Sequence, residues 1–300
     1  MATTHPSPSQ LTWQRRRRAA AQTWREFRQH KSGVVGLLVL ALFVLVALFA
    51  PLLADASGLE YTTAPGSPLE SPSSEFWLGT DQHGRSVLTL LIWGSRVSLF
   101  VGFLATLISM MLGTFMGLAG GHFRGWLGTV IFRLTEWVLV VPFLPLAIVL
   151  ASLLGPSLWN TAFVIGVLFW PATALLIRAQ TLSIEQRPYI ERAKVLGGGH
   201  WHQMTKHVLP NVMPMVMANT TLTVALAILA ETTLSFLGLG GDDRISWGGI
   251  LEQSFDQGPV TNGLWWYFIP PGVCVIVVVL AFTLVGRALE DIFNPRLRER

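Results

Sequence analysis

Charge is what this 300-residue chain has least of. Only 13% of its residues are Asp, Glu, Lys or Arg, about half the usual fraction for a globular domain. Because 51% are hydrophobic and the mean hydropathy is +0.52, the deficit makes a bilayer the main solvent. Cysteine is nearly missing too. The single Cys274 sits inside an apolar run, which excludes a disulfide framework and a Cys-based metal site, and leaves the redox compartment unread. No lysine follows a glycine anywhere, so a Gly-x-x-x-x-Gly-Lys phosphate loop is excluded and any ATP-derived energy must come from another chain. His-Glu-x-x-His and Gly-x-Ser-x-Gly are also missing, which disfavours a membrane-embedded hydrolase. There is no tandem repeat of about 20 to 50 residues and no low-complexity tract beyond the first ten residues. The net charge of +4 could suggest nucleic acid, but the cations are scattered in short segments between apolar runs, so nucleic acid is not expected as a partner.

What the chain has is long apolar runs, at residues 34–53 and at about 97–119, 127–154, 160–178, 211–237 and 266–286. Val34 to Leu53 is close to the ~20 residues that span a bilayer and longer than a signal-peptide core, so it reads as an uncleaved first transmembrane helix. The resulting expectation is an all-α integral membrane protein of six spans. Its divisions are a basic N-terminal segment at 1–33, a first span at 34–53, a loop and connecting segment at 54–96, a core at 97–287 containing a loop at 179–210, and a tail at 288–300. A Pro/Ser/Thr-rich start reads as disordered. Arginines interleaved with Trp13, Trp24 and Phe27 then fit either a helix lying on the membrane surface or a solvated basic tail. The loop after the first span carries Pro65, Pro68, Pro72 and five acids, without helical periodicity.

Lysine and arginine orient the spans. All of the 21 except Arg85, Arg96 and Arg244 fall in segments that alternate to one side, which the positive-inside rule makes cytoplasmic. Both termini and the stretch Tyr189 to Pro210 are therefore expected in the cytoplasm. Trp159, Trp265, Trp266 and Tyr267 fall at the opposite boundary, as an interfacial aromatic belt would.

Tyr189 to Pro210 is the polar, glycine-broken interruption between two apolar runs. Glu185 to Leu196 has helix-forming composition, Gly197, Gly198 and Gly199 stop it, and a second short helix is expected over His200 to Val208 before Pro210. A helix, turn and helix there would form a protruding knob. Within the third span, Glu136 lies near the midplane with Arg133 three residues before it on the same face. The two read either as a structural ion pair or as groups lining a pathway. Glu231 is expected near the wet end of the fifth span. His200, His202 and His207 are interleaved with Trp201 and lack carboxylate ligands at zinc spacing, so they read as solvated or interface residues, with no metal or cofactor expected in this chain. Asp81, His83 and Ser86 have the residue types of a hydrolytic triad but no nucleophile elbow, so the loop holding them reads as structural or docking. Pro142, Pro145, Pro171 and Pro214 predict kinks, and Gly113, Gly117 and Gly120 or Gly121 predict a close-packing helix face.

The pattern Glu191, Ala193, Gly197, Leu209, Pro210 resembles the Glu-Ala-Ala, Gly, Leu-Pro loop of ABC importer permease subunits, whose coupling helix docks in a groove of the ATP-binding subunit. Arg192 stands where the second motif alanine is usual. Further stretches resemble the second (C-type) permease of dipeptide and oligopeptide importers: Trp77 to Ser86, Leu154-Gly155-Pro156-Ser157, Arg178-Ala179-Gln180, Glu231 to Gly240 with Ser246-Trp247-Gly248, and Asn294-Pro295-Arg296-Leu297. The resemblance runs from about residue 30 to the end. It implies the type I importer permease fold and docking residues Tyr189, Glu191, Arg192, Ala193, Leu196, Gly197, Leu209 and Pro210. It also implies a bacterial cytoplasmic-membrane location, a second homologous permease, two ABC ATPases holding ATP and Mg, an extracytoplasmic binding protein and a peptide substrate. Import of nickel, glutathione or another small solute is the alternative within that architecture. An ion-coupled secondary transporter is the alternative outside it, and it would require inverted repeats and broken helices.

Overall fold

With almost no water to accept backbone hydrogen bonds, a chain of this composition satisfies its amides internally, as helices. The computed structural model describes residues 8–62, 64–241 and 245–293, and among these there is no strand beyond an isolated Thr80–Ser86 bridge. The expected disordered start, the acids Asp242 and Asp243 with Arg244, and the motif Asn294 to Leu297 lie wholly or mostly outside the described residues.

The basic segment is helical from residue 8, as α1 (Pro8–Gln29), joined at His30 to α2 (Lys31–Leu48). Phe27 is buried and Trp24 stacks on it at 5.9 Å between centroids. The end of α1 therefore docks on the bundle, which excludes a tail solvated along its whole length. Phe49 closes α2, and Pro51 sits in the first turn of α3 (Ala50–Leu53).

After a loop, α4 (Val87–His122) runs for 36 residues, roughly 54 Å at 1.5 Å per residue, and starts ten residues before the expected core boundary at 97. The loop at 54–86 and the region around His122 thus lie at opposite ends of the molecule. The third apolar run is the main departure from expectation. It forms α5 (Trp126–Val140) and α6 (Phe143–Leu154), bent by 92° at the break. Val141 precedes a proline and is extended (φ −75, ψ 125), so the helix cannot pass it. Pro145 falls in the first turn of α6, where its missing N–H is not needed.

Next come α7 (Leu158–Glu185), α8 (Pro188–Val195) and α9 (His200–His202). A π-turn over Gln203–Val208 carries α9 into α10 (Leu209–Phe236). The chain ends its described part with α11 (Trp247–Asp256) and α12 (Trp265–Phe293). Both α7 and α10 continue through their prolines, Pro171 and Pro214. Among the described residues, five helices are long and apolar enough to cross a membrane, or six if the bent pair is one span.

Glycine decides the tightest seam, between α4 and α7. A Cβ placed on Gly113 would sit 2.6 Å from Thr173 Cβ, on Gly117 2.7 Å from the Ala174 carbonyl oxygen, and on Gly121 2.7 Å from Thr181 Cβ. The expected small-residue face is therefore the face on which α7 lies. Trp266 and Tyr267 depart from the aromatic-belt expectation. Both are buried in protein, with the Trp266 indole donating to the Thr80 carbonyl (3.4 Å) and the Tyr267 hydroxyl to Gln82 (3.2 Å). Trp159 and Trp265 do face outward.

Candidate functional site

The interruption at Tyr189 to Pro210 folds from local signals. Gln186 closes α7, Arg187 is extended (φ −81, ψ 140), and Pro188 opens α8 with its fixed φ. Glu191 lies in the first turn and Arg192 and Lys194 in the last, an arrangement that complements the helix dipole. Gly197 at φ +81 turns the chain back while its amide donates to the Lys194 carbonyl and that of Gly198 to Ala193.

Of the residues singled out in the sequence, Glu191, Arg192, Leu196, Gly197 and Pro210 are exposed, and Tyr189, Ala193 and Leu209 are half-buried. The structure gathers Tyr189 to Gly197 into one projecting knob. Pro210 behaves differently from the expectation that a short helix stops before it. The π-turn shifts the hydrogen-bond register, Leu209 donating to the Met204 carbonyl, so His200 to Phe236 is one continuous rod that accommodates a residue without an N–H.

Sequence reasoning missed the two features that make the knob usable. Its tip is apolar, with Val195 and Leu196 both 87% exposed, and beyond the glycine turn Trp201 of α9 is 70% exposed, a residue type suited to anchoring a partner. Its root is fixed by Ile190, fully buried in a cluster with Leu118, Ile177, Ile184, Val208 and Val212. Beneath it Lys194 pairs with the buried Glu185 (3.0 Å), whose other oxygen meets His122 (2.6 Å). Of the three histidines expected at an interface or in solvent, His200 contacts His122 (2.9 Å), and the rings of His202 and His207 lie 5.4 Å apart.

Arg133 and Glu136 are in contact at 2.8 Å, with side chains 65% and 38% exposed, a few residues before the bend at Pro142. Glu231, expected at a wet helix end, is instead buried, its Oε1 accepting from Ser235 (2.8 Å).

At the opposite end of α4, Asp81, His83 and Ser86 form no triad. Asp81 is fully buried, and its oxygens accept from Arg85 Nε (2.6 Å) and from the amides of His83 and Arg85. Arg85 also donates to the Leu59 carbonyl and to Gln253 of α11, stapling the loop to the bundle. A cavity of about 1180 Å³ opens beside this staple, with Tyr61, Trp93, Arg96, Phe100, Trp159 and Glu252 in its wall.

Two family models match the chain. One describes the binding-protein-dependent transport system inner membrane component and covers residues 109–299. The other describes the N-terminal transmembrane domain of oligopeptide transport permease C and covers residues 19–68. Among curated proteins, the chain is 34% identical to the dipeptide transport system permease protein of Alkalihalophilus pseudofirmus, over 93% of this chain and 92% of that one. It is 35% identical to the di/tripeptide transport system permease protein of Pseudomonas aeruginosa, over 92% and 91%. It is 32% identical to the glutathione transport system permease protein of Pectobacterium atrosepticum, over 92% of each chain.

Proposed function

The chain belongs to the family of binding-protein-dependent transport system inner membrane components, and on that premise we propose that it is the C-type permease subunit of an ATP-driven ABC importer, forming half of the membrane pathway for di- or oligopeptides. The observation that carries the reading is the knob at Tyr189 to Gly197, which combines the family's docking motif with an exposed apolar tip and a buried root. An apolar tip on a polar face is a surface built for a protein partner. The partner is an ABC ATPase, two copies of which hold the ATP and Mg that this chain has no phosphate loop to bind. A homologous permease completes the pathway, and an extracytoplasmic binding protein delivers the peptide. The knob and both termini face the cytoplasm and the membrane is a bacterial inner membrane, a reading that the lysine and arginine distribution and the family's description support.

In the cycle, closure of the ATPase pair draws the two docking knobs together. The permease halves then rock between outward and inward access, which requires ligands that bind the two states with different free energies. Glutathione, itself a γ-linked tripeptide, is a second substrate reading, supported by the relative whose name carries it.

Purification of the tagged chain from its native membrane tests the proposal. An ATPase and a second permease should co-elute, and the complex in proteoliposomes should take up labelled di- and oligopeptides only with ATP. Absence of an ATPase would sink the importer reading. Competition by glutathione that exceeds competition by a dipeptide would select the second substrate.

A further inference from the structure

Four helix ends meet beneath the docking knob through one run of polar contacts that the docking motif does not contain. Glu185, the last residue of α7, has a side chain only 3% exposed and both carboxylate oxygens occupied. Oε2 accepts from Lys194 Nζ of α8 at 3.0 Å, and Oε1 accepts from His122 Nδ1 at 2.6 Å. His122 is the last residue of α4, its side chain is 2% exposed, and its Nε2 lies 2.9 Å from Nδ1 of His200, the first residue of α9. With the Nδ1–H of His122 given to Glu185, Nε2 can accept from Nδ1–H of His200. That tautomer satisfies each member of the run.

The apolar root and the polar run hold α8 in different ways. Ile190 is fully buried, but an apolar contact is non-directional and tolerates rolling or sliding of a two-turn helix. A desolvated carboxylate with two fixed partners does not, because losing either partner leaves one of its buried oxygens unsatisfied. Lys194, the member of the run on α8, is 44% exposed, so its hold depends on the buried carboxylate it meets and not on the lysine alone. The directional hold on α8 therefore runs through Lys194 to Glu185, which His122 fixes from the other side.

We propose that Glu185 and His122 are positioning residues of the transport cycle. Through Lys194 and His200 they lock α8 to the ends of α4 and α7 and to the base of α10, so that displacement of the docked ATPase reaches the membrane helices and is not absorbed in the Gly197–Gly199 turn. The proposal rests on the importer reading above.

The test uses the whole complex in proteoliposomes, with Glu185→Gln, His122→Phe and Lys194→Ala, and with Lys194→Arg and His122→Gln as variants that keep the donors. In Glu185→Gln and His122→Phe, peptide uptake per ATP hydrolysed should fall about tenfold, while copurified ATPase and basal hydrolysis stay within about twofold of the parent, and Lys194→Ala, on the knob itself, should lower the same ratio. Lys194→Arg and His122→Gln should restore the ratio. An unchanged ratio, or uptake and hydrolysis falling together, overturns the proposal. A second arm needs no partner. Amide exchange across residues 189–196 of the purified chain in detergent should quicken in Glu185→Gln, and unchanged exchange overturns the lock. If the parent chain captures no ATPase, the importer reading fails while the exchange arm still decides the lock.

Discussion

Arg85 is 2% exposed, yet each of its guanidinium nitrogens has a partner, and its Tyr61 contact at 4.4 Å adds a cation–π face. Replacing it by Met strands the Asp81 carboxylate in the interior, at a cost of about 3 to 5 kcal/mol. The expected outcome is a marked fall in the thermal midpoint of the purified chain, only partly recovered in Arg85→Lys because lysine cannot serve three acceptors in a planar fork. A midpoint unchanged in Arg85→Met would remove the staple. Arg192 is the opposite case. It is exposed, and no side-chain hydrogen bond or ion pair is seen for it among the described residues, so Arg192→Ala should change stability by no more than about 0.5 kcal/mol. If Arg192 pairs with an acid on the ATPase, the same substitution weakens copurification and flattens its salt dependence. Equal ATPase recovery from parent and variant at every salt concentration would show that the pairing is absent. The motif departure at Arg192 was legible in the sequence. Burial of Asp81 was not, because a polar loop rich in proline gives no sign of what covers it.

At the scale of elements, the α4–α7 seam is set by glycines whose neighbours leave no room for a side chain. Gly117→Val should overpack against Ile177 and the Ala174 carbonyl, costing about 1 to 3 kcal/mol and lowering the yield of folded protein. Gly272, in α12, has open space around its missing Cβ, so Gly272→Ala should be neutral or stabilising by about 0.5 to 1 kcal/mol. Similar thermal midpoints for the two variants would refute the seam. The glycine spacing forecast this face correctly because helical period converts directly into a stripe. Proline was read less well. Pro142 breaks the third run outright, whereas Pro171 and Pro214 ride inside continuous helices. Residue type is the same at each, and what differs is the residue before it: Val141 is extended, whereas the residues before Pro171 and Pro214 stay helical.

For the molecule as a whole, the docking knob and the Asp81–Arg85 staple lie at opposite ends of α4, which fixes a topological prediction. In a Cys274→Ser background, a cysteine at Leu196 should react with a membrane-impermeant maleimide only in inside-out vesicles, and one at Tyr61 only in right-side-out cells. Labelling of both from one side would contradict the orientation. Hydrophobic run length and the charge pattern by themselves determined a multi-span membrane chain with a polar loop between two spans, because bilayer thickness acts on composition along the chain. Tertiary structure alone decided that Trp266, Tyr267 and Glu231 are enclosed by protein, that the third span is bent by 92°, and that His122, 63 residues from Glu185, closes the contacts under the knob. The reason is physical: burial and pairing of a side chain depend on which helices arrive beside it, and separation along the chain carries no record of that meeting.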